Sequence, residues 1–179
     1  MVQKVSLFLI NLIFGSLVLY SYYSGLKQEP QLSLKLWGGV PEILHKFIIS
    51  FMFISAVGYF IFTYNFLFKV DPSEVLFLNR FSYWSLHIIY LLILIPSALW
   101  INLTFNYMKS GNQLDWILVV SVLYCVALAS IALFLFIVDT KKFSGDYLYL
   151  FSILGGSCFV FHTLFLDGLI WTVFFHKGQ

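Results

Sequence analysis

The sequence predicts an all-α integral membrane protein, with five transmembrane helices in one bundle. Three observations carry that prediction. Of 179 residues, 61% are hydrophobic and only 10% charged, with a mean hydropathy of +0.93. A soluble domain puts charge on roughly a quarter of its residues, so this outer surface has to face lipid. Five apolar segments reach the ~20 residues that cross a hydrocarbon core ~30 Å thick. None of them alternates apolar and polar residues as a barrel strand does, which leaves the helix as the spanning element.

The predicted spans cover about 5–23, 46–68, 81–105, 115–138 and 147–175. The first begins like a signal peptide, with Lys4 before an apolar run. Its hydrophobic region is long, though, and Ser21–Gly25 lacks an A-x-A cleavage pattern, so it is read as a span. The second is an unbroken apolar run. The third contains Pro96 in LILIPSALW, which predicts a kink that frees backbone groups beside Trp100. On the fourth, Ser121, Cys125 and Ala129 form a small-residue stripe, and Ser152 and Gly156 do so on the fifth. Such stripes let helix backbones approach closely, within the bundle or across a dimer.

Most connections are about ten residues long, such as KVDPSEVLFLNR and DTKKFSGD, which predicts antiparallel sequential neighbours. The exception is the first loop, 24–45. Its apolar, turn-forming Trp37-Gly38-Gly39-Val40-Pro41 is expected to fold back onto the bundle near Trp171. No internal repeat or low-complexity segment interrupts the chain, so residues 1–179 form a single domain.

Five spans place the termini on opposite faces. Face A carries the N-terminus and the 69–80 and 139–146 loops; face B carries the first loop, the 106–114 loop and the C-terminus. Lys4, Lys69, Arg80, Lys141 and Lys142 on face A balance Lys27, Lys35, Lys46, Lys109 and Lys177 on face B, so charge does not decide the orientation. The net charge of +2 is too small to imply a nucleic-acid partner. Cys125 and Cys158 lie in apolar runs without metal-ligand spacing and read as packing residues.

Trp84 belongs to face A, whereas Trp37, Trp100, Trp116 and Trp171 all fall toward face B. Each alone fits an interfacial aromatic belt, but a belt has no reason to favour one leaflet. Asn102, Asp115 and Asp167 lie near the same level. Together they suggest an aromatic-walled cavity near face B, capped by the first loop.

Asp167, in FHTLFLDGLIW, is the sharpest anomaly. A carboxylate inside a span costs a few kcal/mol, and Asp167 lies roughly 12 Å from the end of the last helix by the 1.5 Å rise. It is expected to face the interior, either holding a ligand or locking helices through Asn102 or a tyrosine. In α-helical geometry Thr163 and Trp171 share its stripe, while His162 lies about 140° away and is excluded as a same-face partner. His87 and His162 could together ligate a haem iron axially; the alternative is that both are packing histidines. His45 and His176 fall near the membrane ends and read as solvated. The sequence has no phosphate loop, no H-E-x-x-H, no G-x-S-x-G and no clustered Cys/His site.

The five spans, the long first loop with Trp and Pro, and the peptides LLILIPSALWINLTF and LFLDGLIW resemble the tryptophan-rich sensory (translocator) protein family, TspO. In that family's last helix a polar amide precedes a Trp at the same i+4 spacing. The resemblance implies binding of porphyrins, sterols or similar flat apolar ligands, with Trp37, Trp100, Asp167 and Trp171 as contacts. Taken together, the sequence leads us to expect a protein in the lipid bilayer that binds, senses or moves a hydrophobic small molecule, with Asn102 and Asp167 orienting its polar end. Two alternatives stand beside it. One is an accessory subunit of a membrane complex or a homo-oligomer; the other is an intramembrane enzyme on a lipid or isoprenoid, with Asp167 as acid or base.

Overall fold

The computed structural model describes residues 2–78, 80–140 and 146–178. It contains α1 (Val2–Gln28), a one-turn α2 (Pro30–Ser33), α3 (Glu42–Phe68), a small hairpin of β1 (Leu76–Phe77) and β2 (Phe81–Ser82), α4 (Trp84–Ser110) and α5 (Gln113–Asp139). The last span begins as α6 (Asp146–Val160), continues without a break as a π-helix (Phe161–Trp171), and ends in α7 (Thr172–Phe174) and a 3-10 turn, Phe175–Gly178. Five helices are long and apolar enough to cross a membrane. The chain is a five-helix membrane bundle.

The helices outrun their apolar windows. α1, α3, α4 and α5 are each 27 residues long, or ~40 Å, enough to span the headgroup layers as well as the core. Polar residues are tolerated there, so hydropathy alone places the ends too early. The 106–114 connection shrinks to Gly111 and Asn112: Gly111 closes α4 at φ 62° and the Asn112 side chain accepts from the Leu114 N–H. In the 69–80 loop, Leu76 pairs with Ser82 and Phe77 with Phe81. The Leu78 N–H donates to Asp139 Oδ2 at 3.2 Å, tying the hairpin to the end of α5.

Packing departs from sequence order. α4 lies between α1 and α5, and α5 also packs on α6 and the π-helix, as short connections require. The expectation of sequential neighbours fails around α3: it packs mainly on α6 and only weakly on α4, to which a short connection joins it, while α1 packs mainly on α4. The cause is a pair of facing glycines. A Cβ on Gly58 would sit 2.6 Å from the Gly155 Cα, a separation no side chain survives. Beside them Ser55 Oγ donates to the Cys158 carbonyl at 3.0 Å. The Gly156 expected to allow close approach does so against Phe134 and Ile137 of α5.

Pro96 sits inside a helix that continues through it to Ser110. Proline has no N–H for the Leu92 carbonyl one turn earlier. Cys125 Sγ donates to that carbonyl from α5 at 3.6 Å, and Ser97 Oγ takes the Ile93 carbonyl at 2.7 Å. Cys125 therefore does more than pack.

Two cores result. The one toward face A is built from Leu7, Phe62, Phe66, Tyr83, Tyr90 and Phe136 and their neighbours. The other, toward face B, gathers Val40, Ile48, Val119, Leu166, Trp171 and Phe175.

Candidate functional site

The site is built on the π-helical stretch, which is the peptide FHTLFLDGLIW itself. π-helix bonds run i→i+5, so residues five apart stack on one face instead of diverging by 140°. His162 Nε2 accordingly lies 3.4 Å from Asp167 Oδ2. This corrects the exclusion of His162, which assumed α geometry. The same register places Gly168 over Thr163, where a Cβ would be 3.2 Å from the Thr163 carbonyl oxygen. Hydroxyls answer the loosened backbone: Thr163 Oγ1 donates to the Phe159 carbonyl at 3.0 Å, and Thr172 Oγ1 bonds the Gly168 and Leu169 carbonyls. Thr163 also shares a 2.7 Å hydrogen bond with Ser130 Oγ, fixing the stretch to α5.

His162 is buried, but the Asp167 side chain remains 34% exposed. From α1, Tyr22 lies within electrostatic range of Asp167, and its ring stacks on Trp100 at 5.7 Å. Trp100 in turn meets Trp171 edge-on at 5.3 Å. Thus Tyr22 of α1 links Trp100 of α4 to the Asp167 end of the last span. Two buried atoms here have no hydrogen-bond partner, Trp100 Nε1 and His162 Nδ1.

The aromatic end forms around these rings. Trp37, Trp100, Trp116 and Trp171 belong to one cluster, in which Trp116 stacks on Phe175 at 5.2 Å. The first loop is fastened to it, as expected of WGGVP. Trp171 Nε1 donates to the Leu36 carbonyl at 3.0 Å, and the Gly39 N–H reaches the Phe174 and Phe175 carbonyls at 3.2 Å. Gly38, at φ +53°, lies against Phe175 so tightly that a Cβ would be 2.3 Å from its carbonyl oxygen. Trp37 stacks on His45 at 4.3 Å, and His45 Nε2 bonds the Val40 carbonyl.

The structure brings together Trp37, Trp100, Trp171 and, at their border, Asp167. It separates Asn102 from them. Asn102 is exposed, two residues and about 200° round α4 from Trp100; similar depth did not mean a shared face. Asp115 accepts from Ser110 Oγ at the start of α5. The two histidines considered for a haem iron engage different ends of the bundle. His87 Nε2 contacts Ser6 Oγ at 2.7 Å and the Gln3 carbonyl at 3.0 Å near face A, while His162 meets Asp167. Among the described residues no cluster of three or more His, Cys, Asp or Glu could hold a metal ion. The walls expected around an aromatic cavity touch one another. A groove of about 340 Å³ lies away from these walls on α1, along Tyr20, Tyr23, Ser24, Lys27 and Gln28.

Tyr22 escaped the sequence reading because nothing distinguishes it within YSYYSG; only the fold turns it toward Trp100. This site and bundle define a multi-pass membrane protein with a polar pair, one partner buried and the other partly open, at an aromatic end. The chain matches no protein-family model, no curated protein and no solved structure.

Proposed function

We propose that the protein binds a hydrophobic small molecule at face B, with its polar end at the His162–Asp167 pair and its apolar body against Trp37, Trp100 and Trp171. One observation carries this reading: a carboxylate inside a membrane-spanning helix, held by a histidine yet one-third open. An uncovered carboxylate at such depth is costly. Pairing with His162 offsets part of that cost, and the open part calls for an occupant. Unpartnered buried polar atoms are rare in native structures and point to a missing partner; Nδ1 of His162 itself is one, and Nε1 of Trp100, the ring stacked on Tyr22, is another. The rings already in contact would part or shift to admit a ligand. The TspO resemblance supports the same class of ligand, porphyrin- or sterol-like, and a role in binding, sensing or moving it.

The test is thermal melting of purified protein in detergent, with and without a porphyrin or a sterol. A ligand at a hundred times its Kd stabilises the folded state by about 2.7 kcal/mol. The parent is expected to gain stability with one of these ligands. Asp167→Asn is expected to fold as well as the parent, because an amide still bonds His162 and is cheaper to bury, and to lose most of that gain. An Asp167→Asn variant that melts far earlier, in a parent that no ligand stabilises, would make Asp167 a helix lock and end the binding reading at this position.

A further inference from the structure

Two asparagines of α4 face outward, where a membrane helix has least use for them. The other two asparagines in the spans face inward. Tyr59 Oη donates to Asn11 Oδ1, whose Nδ2 donates to the Leu7 carbonyl, and Asn65 is buried. Asn102 and Asn106 are exposed, and among the described residues neither makes a hydrogen bond. Four residues apart, they share one face of α4. Asn102 lies about 12 Å before the helix end at Ser110 by the 1.5 Å rise. Centred on a ~30 Å core, the ~40 Å helix overhangs by about 5 Å at each end. Asn102 therefore sits about 7 Å inside the hydrocarbon, and Asn106 near its edge. Lipid tails offer an amide no partner. A serine there can turn its hydroxyl back to a carbonyl of its own helix, but an amide oxygen needs an N–H, and a helix interior has none to spare.

The two amides end a longer stripe. Ile88, Leu92, Ile95 and Leu99 lead to them in alternating steps of four and three residues, and all four are exposed. That is the spacing of a seam between parallel helices, in which an asparagine fixes the register. Lys109, next on the stripe at face B, is neutralised by Glu29 of the same chain.

Membrane insertion narrows the choice of partner. Copies of one chain enter the bilayer in one orientation, so a twofold axis relating them runs along the membrane normal, and equivalent helices meeting at it are parallel. Each residue beside that axis then faces its own copy at its own depth. A carboxylate or an ammonium would meet a like charge, and a pure donor would meet a donor. An amide carries donor and acceptor together, so it answers itself. We propose that the outer stripe of α4 is a homodimer seam: two copies of the chain pack α4 against α4, with Asn102 and Asn106 each hydrogen-bonded to its counterpart in the second copy.

The experiment uses the full chain in lipid vesicles and reads energy transfer between donor- and acceptor-labelled copies as the protein-to-lipid ratio falls. The parent is expected to associate in pairs and to dissociate on dilution in lipid. Asn102→Leu should weaken the pair on the order of threefold, and Asn102→Leu combined with Asn106→Leu on the order of tenfold. Both substitutions set an apolar side chain against lipid, so neither threatens the fold. Ser50→Leu is the control, because Ser50 is exposed on α3 as far from the helix end at Glu42 as Asn102 is from Ser110; it should leave association unchanged. In a chain carrying Cys125→Ser and Cys158→Ala, oxidation should join Leu99→Cys to its own copy and leave Phe60→Cys, exposed on α3, unjoined. Should that background not fold, the energy-transfer series decides the matter. A parent that stays monomeric at every ratio overturns the seam, and leaves the amides to a different protein's helix. So does a double variant that associates as the parent does, or an equal loss in Ser50→Leu. Disulfides that form as fast at Phe60→Cys as at Leu99→Cys place the contact elsewhere and also overturn it.

Discussion

The two ends of the bundle treat polar atoms differently. Toward face A, deep hydroxyls and amides are answered within the protein. Thr63 Oγ1 and Tyr90 Oη are 2.7 Å apart, Tyr83 Oη donates to the Phe66 carbonyl at 2.8 Å, and Tyr59 Oη bonds the Asn11 side chain. Asn11 Nδ2 closes its own account on the Leu7 carbonyl at 2.8 Å. Only His87 Nδ1 breaks the pattern there among the described residues. Toward face B the His162–Asp167 pair is ionisable and partly open, buried nitrogens of Trp100 and His162 lack partners, and four tryptophans join the phenylalanine and tyrosine around them. Neutral groups bonded in pairs are what a bilayer interior tolerates at no functional gain. The face-B arrangement costs more than packing requires, and that is the ground for proposing a ligand there.

Four changes break or sharpen this contrast. The largest effect belongs to Gly155→Leu, which drives a side chain into the Gly58 backbone. Overpacking costs about 1–3 kcal/mol where neighbours can yield, and backbone cannot. Folded, monodisperse protein in size-exclusion chromatography should be largely lost. Gly15→Leu is the control, because its Cβ meets nothing within 4 Å; equal losses in both would remove the α3–α6 contact from the explanation. Next comes Gly38→Ala, with about 1–3 kcal/mol from the left-handed backbone alone and a clash with Phe175 besides. Hydrogen exchange at the Gly39 amide should accelerate while the face-A core stays protected. Unchanged exchange would show that the loop does not rest on this glycine.

Tyr90→Phe leaves Thr63 with a buried hydroxyl and no partner, at about 1–3 kcal/mol. Adding Thr63→Val should recover most of the lost melting temperature. No recovery would mean that the pair is not the unit of stability in the face-A core. The smallest effect lies outside the membrane. Asp71 accepts from Ser73 Oγ at 2.7 Å and from the Ser73 N–H at 2.9 Å, and the hydroxyl, then the amide, holds its carboxyl below the ordinary range. A depressed folded value contributes stability present above the unfolded pKa and lost as pH falls through the folded one. Ser73→Ala should raise the Asp71 midpoint in an NMR titration and leave melting at neutral pH almost unchanged. An unmoved midpoint would assign the depression to other groups.

Much of this was legible in the sequence, for physical reasons. Hydropathy reports the spans because lipid admits little else, and WGGVP reports its own docking because an apolar, turn-rich loop has nowhere better to go. Asp167 announced itself by being costly. What stayed hidden depends on register and azimuth. The π-helix that brings His162 to Asp167 is set by Thr163, Ser130 and Gly168, none unusual by itself. Asn102 was grouped by depth when its direction round α4 decided the outcome. Facing glycines override the preference for sequential neighbours, and Gly58 gives no sign in sequence of which helix it awaits. The hairpin has two residues in each strand, too few to leave a pattern.

The pairing of α3 with α6 also sets a timetable for making the protein. α3 leaves the ribosome before α4 and α5, and its partner α6 follows all three. With chains growing at about 5–20 residues per second, the two are separated by on the order of 4–15 s. Through that interval Gly58 shows a bare notch to lipid, while α4 and α5 are free to associate as they emerge. The span that begins with α6 then enters like a keystone between α3 and α5. A chain halted before Asp146 carries four inserted helices and no closed bundle, because the piece that joins its two sides has yet to be made.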